Sequence, residues 1–329
     1  MTATPRSIYA ALEDAYLRYY DTTFRLRDPL LRAERKAMLE QPGVIFTDPL
    51  IEPIMPYPPS DSVAEVCAAV GLNSVIADRL AAMLFDVDGS FPLRRHQAEA
   101  MRVSLSASGG PRNAVVTAGT GTGKTESFLL PIFARLLSES DSWGEQPSPY
   151  HWWDIGERGR AWRCSRADET RPQAVRAVVL YPTNALVEDQ ITRLRRAVSR
   201  AAGGPRRAGP RFYFGRYTGA TLGAGELPAR TGDQRARACA ADLRRMETDM
   251  RNLRATTDPD LPFQFQDPDA NELLTRWDML AAPPDILVTN YSMLNVMLMR
   301  EREAPIFEQT KRWLASDRER NTFFLVIDE

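Results

Sequence analysis

The residues best suited to chemistry lie in AGTGTGKT, residues 118–125, within the longer stretch NAVVTAGTGTGKTESFLLP (113–131). Glycines at 119, 121 and 123 allow positive φ angles and bring backbone N–H groups within reach of an anion. A helix opening at Lys124 adds the partial positive charge of its first turn at the same place. With Thr120 and Thr122 in the turn and Glu126 just beyond it, this is a cradle for a polyphosphate. In it Lys124 would reach the β- and γ-phosphates and the Thr125 hydroxyl would ligate Mg²⁺. The usual pattern has glycine where Ala118 stands, so the segment reads A-x-x-G-x-G-K-T. Only Lys36, Lys124 and Lys311 are lysines, leaving 42 − 3 = 39 arginines, so a compact ammonium has been kept at the phosphate turn of an arginine-rich chain.

Such a loop works only between a strand and a helix. The β-branched run Ala114–Thr117 predicts the strand, and Ser127–Leu137 lies on the helix. Further strands are predicted at Val175–Leu180, over RFYFGRYTGAT, in DILVTN and at Phe323–Ile327, and helices follow several of them. Alternating buried strands and helices predict an α/β fold with a mostly parallel sheet and flanking helices. Polar pairs stand at three strand ends: Pro182 with Thr183 and Asn184, Thr218 with Gly219, and Thr289 and Asn290 with Tyr291. Thr183 and Asn184 are neutral groups at a helix start, suited to a nucleic-acid phosphate without reading sequence. Arginines cluster between Arg193 and Arg216, the one locally basic zone.

Length and composition bound the rest. The 329 residues can hold two domains, 43% are hydrophobic, and the net charge is −1, so nothing global announces a polyanionic partner. Three scattered cysteines with no CxxC argue for a reducing cytosol without disulfides. His151 and Cys164 are too few to make a zinc site on their own. No apolar run approaches a membrane span, so a cytoplasmic protein without membrane contact is expected.

Residues 1–90 read as an all-helical accessory region. Two helices are joined near Asp28-Pro29, a proline-rich linker covers 41–60, and a helix capped by Ser60 or Asp61 is followed by another over Val75–Leu84. Residues 91–329 form the α/β domain, interrupted by insertions at about 138–172 and 220–282, the first carrying four tryptophans. The chain ends on the apolar strand TFFLVIDE, which reads as an N-terminal piece of something longer.

Gln97, AGTGTGKT, PTNAL (182–186), YTG (217–219), VTNYS (288–292) and VIDE (326–329) occur in this order, and together they resemble the first RecA-like domain of a superfamily 2 DEAD/DEAH-box helicase, a P-loop NTPase. YPTNALVEDQ and PPDILVTNYSML are most similar to large bacterial helicases of anti-phage defence and DNA repair. The resemblance implies ATP and Mg²⁺ as cofactors, with Gln97 reading the adenine edge and Phe91 stacking on the base. It implies that Asp328 holds the metal while Glu329 deprotonates the attacking water. It also implies that Pro182, Thr183, Asn184, Thr218, Gly219, Thr289, Asn290 and Tyr291 grip one strand's backbone, of single-stranded DNA. A second RecA-like domain would complete the catalytic site, so this piece alone should be nearly inactive, and defence-system proteins are possible partners. The alternative is a nucleic-acid or partner-binding module with a regulatory or idle ATP site.

Overall fold

The structure, a computed structural model, describes residues 4–47, 49–50, 57–106, 112–119, 121–154, 160–201, 209–256 and 258–328. Contacts divide the chain into two compact units, Met1–Pro56 and Tyr57–Glu329. The first holds α1 (Pro5–Thr23) and α2 (Pro29–Leu39), broken where Asp28-Pro29 predicts. Asp28 Oδ1 accepts the Leu30 N–H at 2.7 Å, and Pro29 takes the first helical position, where its missing N–H costs nothing. Neither helix has a buried residue. Residues 51–56 of the proline-rich linker lie outside the described residues.

The second unit opens with β1 (Pro59–Ser62), then α3 (Val63–Ala69) and α4 (Ser74–Phe85), then β2 (Pro92–Arg94), which pairs antiparallel with β1, and α5 (Arg95–Leu105). Ser62 caps α3 in a reciprocal box with Glu65, in place of Ser60 or Asp61. Those two residues are held extended in β1, so the helix starts one residue later than the sequence suggests. α3 and α4, which the sequence reading assigned to the accessory region, bury Val63, Val66, Ile76 and Leu80 in the same core as α5 and the helix of the phosphate turn.

That helix is α6 (Lys124–Ser140). It is followed by β3 (Ala177–Tyr181), α7 (Asn184–Ala201), β4 (Phe214–Tyr217), α8 (Gln234–Arg254), β5 (Glu272–Leu273), α9 (Arg276–Ala281), β6 (Ile286–Asn290), α10 (Tyr291–Met299), α11 (Ala304–Ser316) and β7 (Phe324–Ile327). The last five strands make one parallel sheet in the order β5-β4-β6-β3-β7. β3 is buried along its whole length, which is why it reads as an unbroken apolar run. Its residues alternate between two cores. Ala177, Val179 and Tyr181 pack with α5, α6 and α7 on one face, while Val178 and Leu180 pack with Met279, Met297 and Ile306 on the other.

One predicted strand does not form. Ala114–Thr117 makes no ladder, and Val115 is 92% exposed. A strand needs a neighbour for its N–H and C=O groups, and among the described residues none pairs with this run. Among the described residues β7 is correspondingly an edge strand of the sheet, with Leu325 and Ile327 exposed.

The insertions pack against each other. Trp152 and Trp153 from the first share a small core with Cys239 and Leu243 of α8 and with Leu274 and Trp277 at its far end. Buried Asp278 ties the two together, accepting from Ser165 N–H at 2.7 Å, Ser165 Oγ at 3.0 Å, Thr275 Oγ1 at 2.6 Å and Trp152 Nε1 at 3.3 Å.

Candidate nucleotide and nucleic-acid site

The phosphate turn has the backbone that its glycines predict. Gly121 and Gly123 sit at φ +74° and +78°, the left-handed region that side-chain-bearing residues avoid. A Cβ at Gly123 would lie 2.4 Å from Gln97 Nε2. Thr122, nearly fully buried, closes the turn by donating its hydroxyl to Gly119 O at 2.7 Å. Lys124 is exposed at the first turn of α6, where its ammonium is free to meet an anion. Thr125 and Glu126 are half-buried beside it. Thr120 and Glu329 lie outside the described residues.

Gln97 is buried and bonded at both ends of its amide: Oε1 accepts the Arg94 N–H at 3.0 Å and Nε2 donates to Gly123 O at 3.1 Å. It therefore ties the start of α5 to the turn. Phe91 lies in the same cleft but stacks on Phe85, with centroids 4.5 Å apart. Arg94, which the sequence reading passed over, donates to Gly121 O at 3.2 Å and lies 5.0 Å over the Tyr57 ring. Arg193 of α7 reaches across to Glu126 at 3.1 Å. Spacing alone could reveal neither contact, because each joins residues brought close only by folding.

The decisive placement is that of Asp328. In the parallel register Leu180 pairs with Ile327, so Asp328 follows at the strand ends, its N–H donating to Leu180 O at 3.0 Å. Its side chain lines a cleft of about 660 Å³ together with Gly121, Gly123, Lys124 and Thr125. An open cleft with a glycine-built anion cradle, a lysine, a hydroxyl and a carboxylate suits a metal-bound nucleotide triphosphate. A cavity of about 640 Å³ at the opposite end of the strands, around Arg135, Trp143 and Thr322, contains none of the predicted site residues.

The polar strand ends also converge. Tyr181 pairs with Asn290 and Tyr217 with Thr289, so the ends of β3, β4 and β6 form one rim, the edge at which parallel α/β sheets bind ligands. Asn290 Nδ2 donates to Asn184 Oδ1 at 2.8 Å, and Asn290 Oδ1 caps α10 by accepting the Met293 N–H. Pro182, Thr183, Asn184, Gly219 and Tyr291 are exposed there. Thr218 and Thr289 are buried instead: the Thr289 hydroxyl donates to Tyr217 O at 2.6 Å, and Thr218 N–H is taken by Thr221 Oγ1. The Thr289 side chain and the Thr218 backbone thus hold the rim together from beneath. The arginine-rich zone is largely neutralised, Arg195 by buried Glu272 at 2.6 Å, Arg196 by Asp260 at 3.5 Å and Arg216 by Glu188. Arg206 and Arg207 lie outside the described residues.

His151 does not meet Cys164. Its Nδ1 faces Asp154 at 3.6 Å and Glu247 and Asp269 at 3.9 Å. Cys164 is buried, and burial first, with Asp278 adding to it, pushes its thiol up to about 11. Among the described residues no helix is long and apolar enough to cross a membrane.

Comparison with known proteins finds the following likenesses. The sequence profile of the DEAD/DEAH box helicase family matches residues 94–209, from the start of α5 to beyond α7. Over this region the chain is similar to a DEAD/DEAH box helicase domain. The sheet and its flanking helices are those of a RecA-like fold. The chain is also 30% identical to Druantia protein DruE of Escherichia coli (strain UMEA 4076-1), over 97% of its own length and 18% of the relative's. The chain thus spans about a fifth of the length of that relative. No solved structure matches it.

Proposed function

We propose that this chain is the first motor domain of an ATP-dependent helicase or translocase, acting on DNA in the bacterial cytoplasm as part of anti-phage defence. The convergence of Lys124, Thr125 and Asp328 on one cleft, from opposite ends of the α/β domain, supports this reading most strongly. The likeness to Druantia protein DruE and the phrases YPTNALVEDQ and PPDILVTNYSML are in keeping with it.

Mg²⁺-bound ATP would supply the phosphoanhydride bond whose hydrolysis drives the motor. The chain's own residues divide the remaining work. The N–H groups from Gly119 to Gly123 and the Lys124 ammonium hold the phosphates. Thr125 and Asp328 have the hard oxygen donors that a magnesium ion takes. Glu329 would accept a proton from the attacking water. Gln97, already clamped to the turn, would meet the base through whichever amide edge the nucleotide frees.

On the strand-end rim, Pro182, Thr183, Asn184, Gly219, Asn290 and Tyr291 would contact phosphate and sugar, supported by Thr218 and Thr289. Contacts of this kind do not read sequence. Binding should weaken with salt at a slope of roughly −0.7 per phosphate neutralised on a single strand. A second RecA-like domain would close over the nucleotide, so residues 1–329 alone should turn ATP over negligibly.

The test uses the full-length protein with Lys124→Ala and Glu329→Gln. Both variants should lose hydrolysis, while Glu329→Gln keeps nucleotide affinity that Lys124→Ala loses. Unchanged defence activity in both would instead favour a binding module with an idle nucleotide site.

A further inference from the structure

Tyr181 belongs to none of the assigned roles, yet it stands where the two halves of the site meet. It is the last residue of β3, 1% exposed, and the next residue is Pro182 of the nucleic-acid rim. Its ring is anchored in the core shared with α5, α6 and α7. Its hydroxyl is buried and makes no well-aligned hydrogen bond, a costly state for a polar group in a folded interior, although the Asp328 carboxylate lies within its reach.

The parallel pairing of Leu180 with Ile327 sets Tyr181 and Asp328 side by side, and the hydroxyl interacts with the Asp328 carboxylate. Burial, and after it the negative charge of Asp328, push the phenol well above its ordinary range. Asp328 is itself held on the neighbouring strand by the bond from its N–H to Leu180 O. Both side chains line the cleft that contains Lys124 and Thr125. A phenol with its proton available beside a carboxylate can align to complete one O–H to carboxylate bond. A cation drawn to Asp328 would favour that alignment, because a carboxylate oxygen turned toward a metal leaves the other one free to accept.

We propose that Tyr181 is the positioning residue for Asp328, donating its hydroxyl to the carboxylate oxygen turned away from the metal and so fixing the acid for ion binding. The proposal rests on the nucleotide-site reading given above. It also gives the rim a direct line to the cleft, since Tyr181 and Pro182 share a peptide bond.

The experiment is Tyr181→Phe in the full-length protein, which keeps the ring and removes only the hydroxyl. Two readouts are needed: thermal melting without ligand, and binding of a fluorescent non-hydrolysable ATP analogue titrated with Mg²⁺. The variant should melt at the wild-type temperature or slightly above it, because no satisfied hydrogen bond is lost. Its analogue binding without metal should be unchanged. The Mg²⁺ concentration for half-maximal metal-dependent binding should rise about five- to tenfold, the factor expected from one lost hydrogen bond. Asp328→Asn should shift the same midpoint in the same direction.

A wild-type Mg²⁺ midpoint at an unchanged melting temperature would overturn the proposal, as would a lowered melting temperature with no change in the midpoint. Lys124→Ala separates the two readings. If it leaves analogue binding intact, the site reading itself fails; if it abolishes binding while Tyr181→Phe behaves as wild type, only the role of Tyr181 fails.

Discussion

Replacing Asp285 by Ala should cost this domain a large part of its stability, and the size of the loss follows from what the carboxylate holds. Asp285 immediately precedes β6, is fully buried, and accepts from Arg171 Nη1 at 2.6 Å, Arg171 Nη2 at 2.8 Å and the Tyr213 N–H at 2.8 Å. Arg176 Nη1 adds an ion pair at 3.2 Å. Arg171 and Arg176 keep Glu169 and Glu139 as other partners, but without Asp285 the cluster carries uncompensated buried positive charge. Breaking a buried pair from one side costs about 3–5 kcal/mol, against a total of about 5–15 kcal/mol for a domain. Urea unfolding followed by circular dichroism measures it. Pairing Asp285→Ala with Arg171→Ala should give a double variant much less destabilised than the sum of the singles, since the residues share one network.

The pH dependence has a definite sign. Burial raises the Asp285 carboxyl, but the charge and hydrogen bonds of Arg171, with Arg176 and Arg166 behind it, outweigh this and hold it well below the usual range. A depressed folded-state value means that the contribution is complete above the unfolded value, about 3.9, and is lost as pH falls through the folded one. The gap between wild type and Asp285→Ala should therefore be constant near neutrality and close only in strong acid. A loss below about 1 kcal/mol at pH 7, or a gap that closes above pH 5, would refute the account.

Gly123→Ala should lower nucleotide affinity at least about tenfold by calorimetry, because the new Cβ combines left-handed strain of about 1–2 kcal/mol with a 2.4 Å approach to Gln97 Nε2 and a 3.0 Å approach to Glu126 Oε2. Gly121→Ala, with nothing within 4 Å of its Cβ, should show the strain alone. Asp278→Ala should strip the acceptor from Ser165 and Trp152, cost roughly 3 kcal/mol, and loosen the paired insertions first. Limited proteolysis within residues 138–172 and the near-ultraviolet signal of the buried tryptophans would report it, and unchanged protection would count against the shared core.

Much of the site was legible in the chain's order of residues. Gly121, Gly123 and Lys124 announce an anion cradle because few other combinations allow that backbone and supply that charge. β3 and β6 announce themselves as unbroken apolar runs because both of their faces are buried. Residues that act locally, such as the prolines that break helices and the side chains that cap them, were read to within a residue or two.

Tertiary structure decided the rest. Ala114–Thr117 has the composition of a strand, but a strand exists only with a neighbour to bond, and that is not a property of four residues. Thr218 and Thr289 look like Thr183 in sequence; only packing shows that their side chains are buried in the rim. The arginines after Arg193 read as a basic zone until carboxylates distant in sequence, Glu272 and Asp260 among them, are brought against them. Asp278 and Asp285 gave no signal at all, since nothing local distinguishes a buried acid from an exposed one. That Asp328 shares a cleft with Lys124, and that Tyr181 faces it, follows from parallel register, which fixes which strand ends lie side by side and which no reading along the chain can supply.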